Sequence, residues 1–209
     1  MPLCSVHALP YQPDPAFWFE RIRQAPGAVL LDSGRPTPER GRDDLLTAWP
    51  TEIFEPGIAE TGSAFLARLR SALRSLGEAE APADIEVPFT GGLLGFLGYD
   101  FGSRLERLPV TAASDLQMPA ARFGLYAWAL ISDHHCETAH LIFHPGLADE
   151  ERTRLTRLFE SAWQPEHSSF HLDSRFVADI DRSEYQYAIE RIQQYIQAGD
   201  CYQVNFAQR

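Results

Sequence analysis

Phe123-Gly-Leu-Tyr-Ala-Trp-Ala-Leu-Ile-Ser-Asp133 is the stretch on which the fold turns. It is dense in aromatic and branched residues and carries no charge before Asp133, which predicts a buried strand. His134-His135 then reads as a turn, and Thr138 to Phe143 as the returning strand of a hairpin. Further out, Ala28 to Leu31 predicts a short buried strand ending at Ser33-Gly34. Leu45 to Phe54 is strand-like but broken by Pro50, as at an edge or a bulge. Phe170 to Val177 predicts one more strand.

Helical signals alternate with these strands. Asp14-Pro15 resembles a cap followed by proline at the first helical position, and Trp18, Ile22 and Ala25 then share a face. Ser63 predicts the cap of a helix to Leu76, with a stripe of Phe65, Leu66, Leu69, Leu73 and Leu76. Asp149 predicts the cap of a third helix, whose Leu155, Leu158, Phe159 and Ala162 face one way. Ser183 with Gln186 reads as a capping box, and Gly199 sits where a terminating glycine belongs. Arg35 to Arg42, with two prolines and a glycine, reads as a loop. Glu78 to Asp84 reads as an exposed connection. The pattern as a whole is α+β.

Composition narrows the function. The 209 residues carry a formal net charge of −11, and all 18 basic residues are arginine. The absence of lysine excludes a Schiff-base lysine and a Walker-type phosphate lysine from this chain. The acidic balance argues against nucleic acid as a partner. No apolar run reaches the length of a membrane span. Three scattered cysteines, Cys4, Cys136 and Cys201, do not make a disulfide framework and suit a reducing cytoplasm. After the last helix, Tyr202, Val204 and Phe206 alternate with polar residues as in a half-buried strand. The sequence stops inside that pattern, so it reads as the N-terminal part of a longer chain.

Candidate chemistry is sparse. His134, His135, Cys136, His140 and His144 invite a metal reading. On a strand, neighbours four apart lie roughly 13 Å from one another, too far to share a zinc ion. Cys201 follows a helix C-terminus, the wrong end of the dipole for a thiolate. Gly91 to Gly102 lacks the spacing of a phosphate loop and predicts close backbone packing or a bulge. Ser103 to Pro109 predicts a short helix closed by proline. The adjacent pairs Asp43-Asp44 and Glu150-Glu151 point apart and read as solvated.

Three segments together resemble one family. They are GGLLGFLGYDFGSRLERLP (Gly91–Pro109), LQMPAARFGLYAWALISDH (Leu116–His134) and GDCYQVNFAQR (Gly199–Arg209). In order and wording they resemble component I of the aminodeoxychorismate (para-aminobenzoate) synthases, of the chorismate-utilising group that includes anthranilate synthase component I. The resemblance implies antiparallel β-sheets packed face to face with flanking helices, and amination of chorismate to 4-amino-4-deoxychorismate for folate synthesis. It implies ammonia from a glutamine amidotransferase subunit and Mg²⁺ in the full-length enzyme. It places residues 1–175 in the N-terminal domain and residues 183–209 in the first helix and strand of the chorismate-binding domain. The implied catalytic and metal residues fall beyond Arg209, so none is assigned here.

The resemblance also touches Leu30-Leu31-Asp32-Ser33-Gly34, similar to an element that binds tryptophan in anthranilate synthases. Leu31, Ser33 and Arg42 are the residues it would assign. One departure stands out: Asp43 follows the arginine where the family pattern has an aromatic. An acid in an indole pocket is costly to desolvate.

Overall fold

A computed structural model describes residues 1–34, 41–108, 117–164 and 170–207. The chain divides into two compact units, Met1–Pro165 and Glu166–Arg209.

Among the described residues the first unit holds eight strands in two antiparallel sheets. They are β1 (Ser5–Leu9), β2 (Val29–Leu31), β3 (Asp43–Thr47), β4 (Glu52–Phe54), β5 (Gly92–Leu97), β6 (Ala121–Tyr126), β7 (Trp128–Asp133) and β8 (Thr138–Phe143). One sheet runs β1-β8-β7-β3-β2 and the other β4-β6-β5. The stretch read as one strand is therefore two. β6 belongs to the small sheet and β7 to the large one, with only buried Ala127 between them. The break at Pro50 does the same: β3 lies in the large sheet and β4 in the small one. At that second crossing Trp49 takes φ 52°, and the Trp128 indole N–H donates to the Ala48 carbonyl at 2.8 Å. The tryptophan that opens β7 thus pins the other crossing.

Every residue of β7 is buried. That explains a run without polar alternation: the strand is covered on both faces. On one face Trp128, Leu130 and Leu141 meet Trp18 and Ile22, and Leu155 and Phe159 of helix α3 (Asp149–Glu160). Trp18 belongs to α1 (Ala16–Phe19), shorter than the sequence predicts, and Ile22 lies in the turns beyond it. On the other face Ala129, Ile131 and Ile142 pack with Leu45, Val87, Phe89 and Leu94. Leu94 comes from β5, so the two sheets share this core. Burying each such aromatic or aliphatic side chain contributes about 1.5–3 kcal/mol.

Helix α2 (Gly62–Leu76) covers the small sheet through Phe65, Leu69 and Ala72. Its cap is Thr61, whose hydroxyl accepts from Ala64 N, and not Ser63. Thr61 has the extended backbone that a cap requires. A short 3₁₀ helix, Tyr99–Arg104, follows β5, earlier than the helix expected from Ser103. It buries Phe101 against Phe65, an anchor that Ser103 to Leu108 lacks.

The second unit contains α4 (Arg182–Ala198). Asp181, not Ser183, forms its capping box, reciprocally with Glu184. Gly199 ends it at φ 81°, as expected. The expected strands at Phe170–Val177 and from Cys201 do not form among the described residues. Alternation specifies a face, but a strand also needs a neighbour to complete its ladder. No residue of α4 is buried.

Candidate functional site

The end of β2, the start of β3 and the turn from β7 to β8 meet at one end of the large sheet. β3 pairs there with β7, Asp43 opposite Asp133 and Asp44 opposite Ser132. Successive strand residues face opposite ways, so Asp43 and Asp44 enter different environments.

Asp44 is 2% exposed, which corrects the reading of this pair as solvated. Its Oδ1 accepts from Ser33 N at 2.7 Å and lies 2.9 Å from Ser33 Oγ. Its Oδ2 lies 2.6 Å from His134 Nε2, and His134 Nδ1 lies 2.8 Å from the Tyr11 hydroxyl. A neutral imidazole fits both contacts, with Nε2–H donating to Asp44 and Nδ1 accepting from Tyr11. The Ser33 hydroxyl also lies 3.0 Å from the Gly41 carbonyl, so its single proton serves one acceptor at a time. Ser33 and His134, from two other segments of the chain, thus meet on one buried carboxylate, with Tyr11 behind His134. Sequence reasoning named His134 in a metal reading and Asp44 in a solvated pair, and missed that the two meet. Their pairing follows from register, which an isolated Asp-Asp or His-His does not reveal.

On the opposite face a cleft of about 510 Å³ is lined by Arg42, Glu86, Ile131, Asp133, Cys136 and His140, among others. Arg42 Nε and Nη2 both donate to Asp133 Oδ2, at 3.0 and 2.8 Å. Its Nη1 donates to Glu86 at 2.9 Å. Asp133 Oδ1 accepts from the amides of His135 and Cys136. Burial alone would raise the Asp133 carboxyl, but Arg42 and these two amides hold it down to about 2. The Arg42 guanidinium is correspondingly raised, first by its hydrogen bond to Asp133. Burial, and then the Asp133 charge, raise Asp43, and its buried Oδ1 has no hydrogen-bond partner among the described residues.

The residues singled out from sequence therefore divide. Leu31 is 50% exposed. Ser33 belongs to the Asp44 cluster. Arg42 faces the acids of the cleft. Most of the loop expected at Arg35 to Arg42, residues 35–40, lies outside the described residues.

The histidines are spread along the fold. His144 is 3% exposed, and its Nδ1 accepts from Gly146 N at 3.0 Å. Its Nε2 faces the Gly77 carbonyl at 3.3 Å. Burial lowers its pKa, which suits the neutral ring that both contacts use. Burial lowers His140 as well. Among the described residues no three His, Cys, Asp or Glu side chains gather as a metal site would need. In the glycine run, a Cβ at Gly95 would collide with the Arg122 carbonyl across the ladder. The expected close backbone approach lies there.

A family model described as chorismate binding enzyme matches residues 27–209, across both units. The aminodeoxychorismate synthase component 1 of Salmonella typhimurium is 36% identical over 218 residues, covering 98% of this chain and 46% of that protein. That of Klebsiella aerogenes is 34% identical, covering 97% and 46%. Anthranilate synthase component 1 of Geobacillus stearothermophilus is 30% identical but covers only 59% of this chain. The chain spans about half the length of the first two relatives. Among solved structures, anthranilate synthase component I from Streptococcus pneumoniae superposes with a TM-score of 0.57 at 21% identity. It covers 82% of this chain and 41% of its own length, and shares the antiparallel sheets and flanking helices.

Proposed function

The chain belongs to the chorismate binding enzyme family, and from that premise we propose that it is the N-terminal portion of an aminodeoxychorismate synthase component I. In this reading the full-length protein aminates chorismate to 4-amino-4-deoxychorismate for para-aminobenzoate and folate synthesis, in the cytoplasm. A glutamine amidotransferase supplies the ammonia. Residues 1–209 do not turn over chorismate by themselves. One observation carries the reading: 34–36% identity over nearly the whole chain, against under half of each relative.

The site chemistry supports the division of labour. Asp44 is bound by Ser33 and His134, and Asp133 by Arg42 and two amides. Neither carboxylate is left to polarise a substrate. The same donor set does not fit Mg²⁺, which asks for near-octahedral oxygen ligands and several retained waters. In this reading the Mg²⁺ of the full-length enzyme is held by residues beyond this chain. Purified 1–209 with chorismate, ammonia and Mg²⁺ is expected to yield no product by chromatography. Sustained product formation would overturn the reading.

A second reading makes Leu31, Ser33 and Arg42 the remnant of a tryptophan site. Exposed Leu31 beside Ser33 favours it, as an apolar surface next to a hydroxyl. The engagement of Arg42 by Asp133 and Glu86 weighs against it. Calorimetry with tryptophan separates the two: heat that vanishes in Ser33→Ala supports the remnant, and no heat in the unsubstituted chain refutes it. The anthranilate branch is distinguished by the product of the full-length enzyme.

A further inference from the structure

Arg21 lies in the turns after α1 and reaches the C-terminus of α3. Its Nη1 donates to the Leu158 carbonyl at 2.7 Å and to the Ser161 carbonyl at 3.0 Å. A cation there satisfies carbonyls that a helix leaves open and meets the negative end of its dipole. The rest of the guanidinium has no such task. Arg42, Arg68 and Arg122 each pair with a carboxylate, but among the described residues Arg21 pairs with none. Its Nε is buried without a hydrogen-bond partner among the described residues, and Nη2 lacks a partner there too but is not buried. Burial lowers the Arg21 pKa, as for a cation with no matching charge beside it.

Three aromatic rings enclose this guanidinium. Its Cζ lies 5.8, 5.2 and 5.4 Å from the ring centroids of Phe17, Trp18 and Trp163. Phe17 and Trp163 meet edge to face with their centroids 5.7 Å apart. Together with Pro10 and Phe159 these residues line a cavity of about 530 Å³, whose whole lining lies in the first unit. That volume falls in the range of small-molecule sites. Trp18 is 3% exposed, and its indole Nε1 is buried with no acceptor among the described residues. A folded chain seldom leaves a buried N–H unpaired. Here two of them belong to residues of one cavity.

We propose that this cavity is a binding site for a small aromatic monocarboxylate. One carboxylate oxygen accepts from Arg21 Nη2, and the second takes Nε where the Trp163 ring gives way. Trp163 follows α3 and belongs to no helix or strand. The charge of the ligand follows from the donors. One guanidinium, with no second cation in the lining and Glu160 on the wall, fits a single negative charge and disfavours a phosphate dianion. The body follows from the walls, since Phe17, Phe159 and Trp163 offer aromatic surface to a flat ring. Glu160 is itself engaged by His7 at 2.9 Å, so the lining holds no free carboxylate for the ammonium of an amino acid. These residues are distinct from the Ser33, Asp44 and His134 cluster, and the proposal is independent of the reaction assigned to the full-length protein.

The test is a titration of residues 1–209 with benzoate, read in the indole N–H resonances of the nitrogen-15-labelled chain. Its four tryptophans are Trp18, Trp49, Trp128 and Trp163. The Trp18 and Trp163 signals should move together and saturate, with a midpoint at or below about 1 mM, while Trp49 stays in place. Benzyl alcohol, a similar ring without the charge, and inorganic phosphate should leave them unmoved at the same concentration. Arg21→Gln keeps an N–H for the Leu158 carbonyl and should weaken benzoate by about tenfold or more. If that variant unfolds, benzoate against benzyl alcohol on the unsubstituted chain still decides. Unmoved signals with benzoate, equal shifts with benzyl alcohol, or a folded Arg21→Gln chain that binds as before would each overturn the proposal. Phosphate that moves the same two signals would reveal a general anion site and overturn it as well.

Discussion

Replacing Asp44 by alanine tests the cluster at the end of the large sheet. The substitution removes the acceptor of Ser33 N and the partner of His134 Nε2, in a residue 2% exposed. Each buried donor left without a partner costs about 1–3 kcal/mol. Two such donors predict a loss of about 2–6 kcal/mol, at the lower end where water fills the space left. Against a total stability of about 5–15 kcal/mol, that is a large fraction. Asp44→Asn keeps an oxygen for Ser33 N, and His134 can turn its Nε2 lone pair to the new amide. Its cost should be nearer 1 kcal/mol. The assay is urea unfolding of 1–209 followed by tryptophan fluorescence, since Trp18 and Trp128 lie in the core beneath this sheet. A double-mutant cycle with His134→Ala should show coupling of about 0.5–3 kcal/mol. An Asp44→Ala midpoint equal to that of the unsubstituted chain would refute the cluster as a structural clamp.

Other consequences follow from the same contacts. Asp133 is held at about 2 against an ordinary value of 3.8, so its contribution is present above pH 4 and is lost as pH falls towards 2. Asp133→Asn should flatten that limb of a stability-versus-pH curve. The lowered pKa of His144 has the opposite chemistry but the same sign. The unfolded chain binds its proton more readily, so stability should fall as pH drops below the ordinary 6.5, and His144→Asn should remove that slope. Gly95→Ala sets a methyl against the Arg122 carbonyl, and thermal unfolding should register a loss of about 1–3 kcal/mol.

How far the sequence reaches is visible in particular residues. Thr138–Phe143 was legible to the residue, because a buried run follows a polar turn directly. Ala121–Asp133 was legible as buried strand but not as two strands. A change of sheet at Ala127 leaves the apolar run unbroken, since Tyr126, Ala127 and Trp128 are all buried through the corner. Both ends of α2 and α4 could be placed within two residues, yet the caps went to Thr61 and Asp181 over Ser63 and Ser183. All four are competent cap residues, and the extended backbone selects among them. The Asp44 cluster joins residues up to 123 positions apart, so only sheet register exposes it. Ser33 and Arg42 were singled out through resemblance, and the fold sends them to opposite faces of one sheet end. The alternation after Gly199 specified a strand's face without supplying its neighbour.

Product analysis of the reconstituted enzyme tests the functional account most directly. Residues 1–209, combined with the complementary half of a full-length relative and given chorismate, ammonia and Mg²⁺, should form 4-amino-4-deoxychorismate, while neither part does so alone. Turnover by 1–209 alone, or anthranilate as the product of the pair, would contradict it.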